Sequence, residues 1–326
     1  MELTVRIERW PLARAFTISR GSKTEAVTVV AELDDGGHRG RGECVPYARY
    51  GETSEGVAAA IEAQAPALRG GLDRPALQHA MPAGAARNAL DCALWDLAAM
   101  ESGRRVHELA GIAAPAPRIT AFTISLGEPA AMAEAAGEAA SRPLLKVKLG
   151  GGKDDGQRIA AVRRAAPQAE LIVDANEGWA PDNLAGNLAA CAAAGVTLVE
   201  QPLPEGADAA LAGLGRPIPV CADESVHDRR SLDALTGKYD AINVKLDKAG
   251  GLTEALALVA AAEARGFRIM VGCMVGTSLA MAPAMLLAQR AAFVDLDGPL
   301  LLAADRPFGL RYEGSLAFPP ESALWG

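Results

Sequence analysis

The chain has 326 residues, half of them hydrophobic, enough for one large domain with a smaller companion. Its 32 basic and 40 acidic residues leave a net charge of −8, and no basic run offsets it, which argues against a nucleic-acid surface. No uncharged apolar segment approaches the roughly 20 residues of a membrane span.

The N-terminus, "MELTVRIERW", alternates apolar and charged residues like a strand and lacks a signal-peptide core. "TVRIERWPL" and "AVTVVAELDDGGHRGRGECVP" predict two or three strands, with "DDGG" as a hairpin turn. Helices are expected from about Glu52 to Leu68 and from about Gly84 to Glu101, where "AARNALDCALWDLAAM" has apolar residues at amphipathic spacing. This first part, residues 1–114, reads as an α+β domain. The five cysteines are scattered, odd in number and without metal-finger spacing. They are expected to be reduced thiols of a soluble cytoplasmic protein, structural at Cys44, Cys92, Cys191 and Cys221, with Cys273 left open.

After Pro115 short β-branched runs alternate with alanine-rich helical runs. The candidate strands are "RITAFTISL", "LLKVKL", "ELIVDA", "TLVEQP", "IPVCAD", "DAINVKL", "RIMVGCM" and "FVDLDG". Each except the last is followed by a plausible helix. Markers near their C-terminal ends (Lys148, Asp174, Glu200, Asp223, Lys245, Cys273, Asp295) advance by about 22 to 28 residues, the pitch of parallel βα units. Eight such units over residues 115–298 predict an α/β fold of the closed (β/α)8 barrel type; an open doubly wound sheet is the alternative. Residues 299–326 lack the repeat and are expected to pack back on the N-terminal domain.

A barrel brings the C-terminal ends of its strands to one mouth. Asp174, Glu200 and Asp223 end three consecutive strands, each after an apolar run. Any one of them alone could cap the following helix. Three in sequence form an oxygen donor set that suits Mg²⁺, whereas Zn²⁺ would recruit His or Cys. Lys146 and Lys148 sit two apart on the second strand, so they share a face, and Lys245 approaches the mouth from the opposite side. A lysine holds its proton to about pH 10, but a neighbouring ammonium and a metal favour the neutral amine. On this expectation Lys146 helps make Lys148 a base. The plainer alternative is that either lysine forms a structural ion pair. Two amines facing each other across a metal-bound substrate suit proton removal α to a carboxylate, with the metal holding the enediolate and the second amine returning a proton.

With "KVK" at Lys146 to Lys148, Asp174, Glu200, Asp223 and "KLD" at Lys245 to Asp247, the chain resembles the enolase superfamily, in its muconate-lactonizing subgroup, along essentially its whole length. Within the subgroup it is most similar to the dipeptide epimerases, those acting on L-Ala-D/L-Glu. The resemblance implies an N-terminal capping domain over the barrel and a Mg²⁺-dependent isomerase, with Lys148 and Lys245 as the two bases. It implies that Asp295 and Asp297 in "VDLDG" bind the substrate's α-ammonium group, and that Arg20 in "FTISRGSK" binds a glutamate side chain. It further implies substrate contacts at Thr123, Lys146, Cys273, Val275 and Tyr50, with Glu224 and Asp247 steadying the lysines. Recycling of murein dipeptides, a small-molecule substrate and a possible homo-oligomer follow from the same likeness. A cycloisomerase or an o-succinylbenzoate synthase on the same scaffold is the second reading; a non-catalytic binding protein on a retired barrel is the third.

Overall fold

The computed structural model describes residues 1–150 and 152–326. The chain opens with an antiparallel sheet of β1 (Glu2–Ile18), β2 (Gly21–Asp35) and β3 (His38–Cys44), in that order. β1 runs well past the predicted "TVRIERWPL". A register shift between Pro11 and Phe16 lets it continue to a hairpin tip at Ile18–Gly21, where Phe16 pairs with Lys23. The tip reaches over to the other domain. Leu126 N donates to Thr17 O at 3.0 Å, and Ser19 Oγ donates to Asn176 O at 2.9 Å.

Helices Ser54–Glu62, Ala65–Arg69, Arg74–Ala80 and Ala85–Ser102 complete the first layer. The expected helix from Glu52 to Leu68 is two helices, the second with Pro66 in its first turn, where a missing N–H is harmless. The long helix sits directly on β3, because a Cβ at Gly42 would lie 2.1 Å from Ala89 O and one at Gly40 2.3 Å from Ala93 O. Its 13 buried residues out of 18 leave little solvent face. The polar residues that sequence periodicity assigns to water face the barrel instead. Arg87 donates to Ala249 O (2.7 Å) and Gly250 O (3.0 Å), Asn88 to Asp247 (2.8 Å) and Trp95 Nε1 to Thr253 (2.9 Å), while Asp91 accepts from Thr253 N (2.9 Å). Arg87→Ala would strip the buried carbonyls of their donor, so a loss of about 3 kcal/mol or more is expected, read as a lower denaturant midpoint at unchanged slope.

The strand β4 (Arg118–Ile119) precedes eight parallel strands: β5 (Phe122–Ile124), β6 (Leu144–Lys148), β7 (Glu170–Asp174), β8 (Val196–Glu200), β9 (Val220–Ala222), β10 (Ala241–Val244), β11 (Arg268–Gly272) and β12 (Phe293–Asp295). They pair in chain order from β5 to β12. The ring closes through one backbone bond, Ala121 N to Val294 O at 2.8 Å, and through Leu296 N to Thr120 Oγ1 at 2.8 Å. This is the predicted (β/α)8 barrel with an N-terminal cap. The first predicted strand is split: "RI" leaves the barrel to pair with a C-terminal hairpin of β13 (Tyr312–Glu313) and β14 (Leu316–Ala317).

The helical layer is less regular than expected. After β8 only a 3₁₀ turn, Ala209–Leu211, forms, because Pro202, Pro204, Gly206, Gly213 and Gly215 interrupt the segment. After β9 there is a 3₁₀ turn and the single-turn helix Leu232–Leu235, whereas β12, expected to lack a helix, is followed by Gly298–Leu301. The C-terminal segment touches both layers: Ala303 N donates to Pro11 O (2.8 Å), Arg306 pairs with Glu43 (2.6 Å), and the buried Trp325 donates to Cys92 O (3.1 Å). All five cysteines are free. Among the described residues no helix is long and apolar enough to cross a membrane.

Candidate active site

The barrel floor is an apolar cluster with one residue from each strand or its edge: Ala121, Leu144, Ile172, Leu198, Cys221, Ala241, Met270 and Phe293. Residues two apart on a strand share a face. The next inward ring is therefore Thr123, Lys146, Asp174, Glu200, Asp223, Asn243, Gly272 and Asp295. Seven of the eight are polar, and the glycine has a steric reason: a Cβ at Gly272 would lie 2.6 Å from the Asn243 side chain. Lys148, Lys245 and Asp297 stand two residues further on, nearer the mouth.

Asp174, Glu200 and Asp223 are at most 2% exposed, and one carboxylate oxygen from each lies within 4.8 Å of the others. Lysines surround them. Lys146 Nζ is 2.7 Å from Glu200, 2.7 Å from Asp295 and 3.4 Å from Asp174. Lys148 Nζ is 2.6 Å from Asp174, while Lys245 and Lys248 lie 2.6 and 2.5 Å from Asp223. Burial opposes the ionised form of Asp174, but Lys148 and Lys146 outweigh it and hold the group at about 2. Glu200 goes the other way: burial and the charge of Asp174 push it up to about 8. For Lys245 burial alone would lower the pKa, yet Asp223 and Glu200 keep it well above the usual lysine value. Three crowded carboxylates from adjacent strands, with no nitrogen or sulfur donor in the set, fit a hard divalent cation such as Mg²⁺. Lys146 shares its charge among three carboxylates.

The turns after the acidic strands are strained into place. Asn176, Glu177 and Gln201 all have positive φ (45°, 63° and 33°), rare for residues with a side chain. In return Asn176 N donates to Asp174 Oδ1 at 2.9 Å, and Gln201 Oε1 accepts from Asp223 N at 2.8 Å, which fixes both acidic residues at the mouth. Asn243 donates to Glu200 Oε1 at 2.7 Å. Sequence reading missed Asn243, although it lies two residues before Lys245 and so faces inward by the same alternation. It also missed Lys248, one helical turn beyond Lys245.

Glu224 and Asp247 were expected to steady the lysines. Among the described residues neither bonds to Lys148 or Lys245: Glu224 accepts from Arg20 Nη2 at 2.7 Å, and Asp247 accepts from Val45 N (3.0 Å) and Asn88 (2.8 Å). Asp247 thus ties the segment after Lys245 to the cap, because the polar stripe of the cap helix needs a partner there.

Above the acids lies a cavity of about 480 Å³. Arg20, Tyr50, Lys148, Lys245, Cys273 and Val275, all singled out in the sequence, line it with Asp223 and Glu224, joined by Phe16, Ile18, Lys23, Tyr47 and Met274, which sequence reading missed. Tyr50 packs edge-on to Tyr47 and His227, with ring centroids at 5.5 and 4.9 Å. Thr123 instead lines a neighbouring cavity of about 340 Å³ that shares Phe16 as a wall, and its N–H donates to Asp297 at 2.7 Å. Asp295 and Asp297 are buried at the barrel seam. Burial and Asp295 push Asp297 up to about 7, and among the described residues Asp295 Oδ1 has no hydrogen-bond partner.

Residues 1–111 match the mandelate racemase/muconate lactonizing enzyme N-terminal domain, and residues 129–299 match the enolase C-terminal domain-like family. This chain belongs to the enolase superfamily. Among superfamily members, an L-Ala-D/L-Glu epimerase of Escherichia coli K12 is 50% identical over 95% of this chain and 97% of its own length. An N-acetyl-D-glutamate racemase of a Pseudoalteromonas species is 46% identical over 91% and 95%. A superfamily member from Agrobacterium tumefaciens with homology to dipeptide epimerases, solved with sodium and L-Ala-L-Glu, superposes with a TM-score of 0.97 at 55% identity over 99% of both chains.

Proposed function

We propose that this enzyme is a Mg²⁺-dependent dipeptide epimerase that inverts the α-carbon of the second residue, interconverting L-Ala-L-Glu and L-Ala-D-Glu. The observation that carries the reading is the lysine pair: Lys148 and Lys245 are each ion-paired to a different member of one buried acidic triad. They come from the second and sixth of eight strands, so a substrate seated over the triad has an amine on each face. Lys148 Nζ removes the α-proton from one face, and Lys245 Nζ delivers one to the other; exchanging the roles runs the reaction backwards.

Asp174, Glu200 and Asp223 would hold the cation, which when bound supplies positive charge where the substrate carboxylate gains negative charge, and offsets the acidic field that keeps Lys245 protonated. Lys146 braces Glu200 and Asp295. Asp297 and the unpartnered Asp295 Oδ1 receive the dipeptide's α-ammonium, two carboxylate acceptors for one cation. Thr123 orients Asp297 through its N–H, while Tyr50, Cys273 and Val275 wall the cavity and the cap excludes water. Ala-Glu dipeptides come from cell-wall peptide, so murein recycling in the cytoplasm is the role we assign.

An N-acetylated glutamate presents the same α-carbon and carboxylates but no ammonium, and the substrates of a cycloisomerase or an o-succinylbenzoate synthase lack an ammonium too. Lys146 meets Asp295 at Oδ2 only, and among the described residues no cation pairs with Asp297; leaving these buried acceptors without one is costly, and this favours the free dipeptide. The test is incubation of a dipeptide library and N-acetylglutamate in deuterated water with Mg²⁺, followed by mass spectrometry. Ala-Glu should take up one deuteron faster than N-acetylglutamate. Label in N-acetylglutamate alone, or in no dipeptide at all, would refute the assignment.

A further inference from the structure

Gln201 follows Glu200 directly and stands at φ 33°, in the left-handed region that a residue with a side chain enters only at a cost. Such a conformation persists where the surroundings over-determine it. The Gln201 side chain is fully buried and bridges the ends of β8 and β9, because Oε1 accepts from Asp223 N (2.8 Å) and Ser225 N (3.1 Å). One residue thus fastens two acids of the triad to each other, Glu200 through its backbone and Asp223 through its amide.

The other end of that amide is held by groups with no part in the chemistry. Nε2 donates to Leu203 O (2.8 Å), Ser225 Oγ (2.9 Å) and Tyr239 Oη (3.0 Å). Tyr239 is buried just before β10, and its hydroxyl donates to Asp208 Oδ2 at 2.7 Å. Ser225 Oγ donates to the same oxygen at 3.1 Å. Asp208 is buried too, and its Oδ1 meets Lys238 Nζ at 2.6 Å. Burial alone would raise the Asp208 pKa, but Lys238, Tyr239 and Ser225 hold it below the ordinary aspartate value.

An ionised carboxylate only accepts. The Tyr239 and Ser225 hydroxyls therefore direct their single protons at Asp208 and turn lone pairs towards Gln201. Those lone pairs call for the NH₂ side of the amide, which leaves its oxygen facing Asp223 N. Donor and acceptor roles agree at every link, from the Lys238–Asp208 ion pair to the backbone of a triad residue.

We propose that Tyr239 and Asp208 are positioning residues: acting through the Gln201 side chain, they hold the strained turn after Glu200, and with it the relative placement of Glu200 and Asp223. This rests on the reading that the acidic triad holds Mg²⁺, and names the strut that keeps two of its members in place. If the turn is set in only a fraction of molecules, the apparent Kd rises by the inverse of that fraction. Loss of one buried hydrogen bond corresponds to about a 3- to 10-fold change.

The test is calorimetric titration of Mg²⁺ into the chelator-stripped protein, beside kcat for L-Ala-L-Glu at saturating Mg²⁺. Tyr239→Phe deletes only the hydroxyl and should raise the Mg²⁺ Kd about 3- to 10-fold, with kcat at saturating Mg²⁺ within about twofold of wild type. Asp208→Asn keeps the shape but must turn its NH₂ towards either Lys238 or the two hydroxyls, so it should raise Kd at least as far. In the Tyr239→Phe background Asp208→Asn should add less than it does alone, because both act through one hydroxyl. A lower Tm with an unchanged Kd in these variants, or effects that add in full, overturns the strut alone. If Tyr239→Phe does not fold, the Kd of Asp208→Asn decides by the same criterion. A wild type that binds no Mg²⁺ overturns the triad as the metal site, and the strut with it.

Discussion

Alanine in place of Lys148 is expected to lower interconversion of the two Ala-Glu epimers by about 10⁴-fold, the upper range for loss of a positioned acid–base group. Lys245→Ala should do the same. The informative part is what survives. On the proposed mechanism each amine serves one face, so each variant should still exchange the α-proton of one isomer with solvent deuterium, and the two variants should spare opposite isomers. Collapse of the fold would mimic neither pattern, and the ion pairs protect against it: Asp174 retains Lys146 at 3.4 Å when Lys148 is gone, and Asp223 retains Lys248 at 2.5 Å when Lys245 is gone. Chiral analysis of deuterium uptake separates the cases. Equal loss of exchange from both isomers in both variants, with each variant still folded by circular dichroism, would mean that neither amine removes a proton on its own, and the mechanism with one amine per face would fall.

Those two lysines could be read from the sequence because strand alternation and βα pitch are local patterns. A β-branched run tells where a strand lies, and a spacing of two tells which residues share its inner face. The same rule extended by one step would have added Asn243 to the site. Periodicity does not tell what stands opposite a face. The polar stripe of helix Ala85–Ser102 looked solvent-facing, yet it docks on the segment after Lys245 and takes Asp247 with it. Arg20 and Lys23 have the same charge three residues apart on one hairpin, and nothing local distinguishes them. Among the described residues only Arg20 of the two is ion-paired, to Glu177 and Glu224, brought in from turns more than 150 residues away. The helix after β8 failed for a local reason that sequence did display: alanines suggested a helix, but prolines and glycines on both sides kept it to one 3₁₀ turn.

Glu200→Gln is expected to abolish both activity and the thermal response to Mg²⁺, while leaving the metal-free protein folded. Glu200 stands on the strand between those of Asp174 and Asp223, so the change turns one of three carboxylate donors into a neutral amide oxygen and removes a negative charge that attracts a hard cation. In wild type, Mg²⁺ at a hundred times its Kd should stabilise the fold by about 2.7 kcal/mol, a shift of several degrees in Tm. In the metal-free protein the amide should be no less stable than the carboxyl at pH 7, and the sign follows from the pKa. Burial and Asp174 hold Glu200 up at about 8, so near pH 7 the metal-free carboxyl is largely protonated and an amide of the same shape resembles it. Wild type loses stability as pH rises from the ordinary value of 4.5 to about 8, because the unfolded chain releases a proton that the folded protein keeps. The glutamine variant lacks that loss, and above about pH 8 the gap stops widening. Differential scanning calorimetry of both proteins, with and without Mg²⁺ at several pH values on either side of that window, tests each clause. A full Mg²⁺ shift in the variant would place the cation elsewhere, and the amines at 148 and 245 would then have no charged centre to work across.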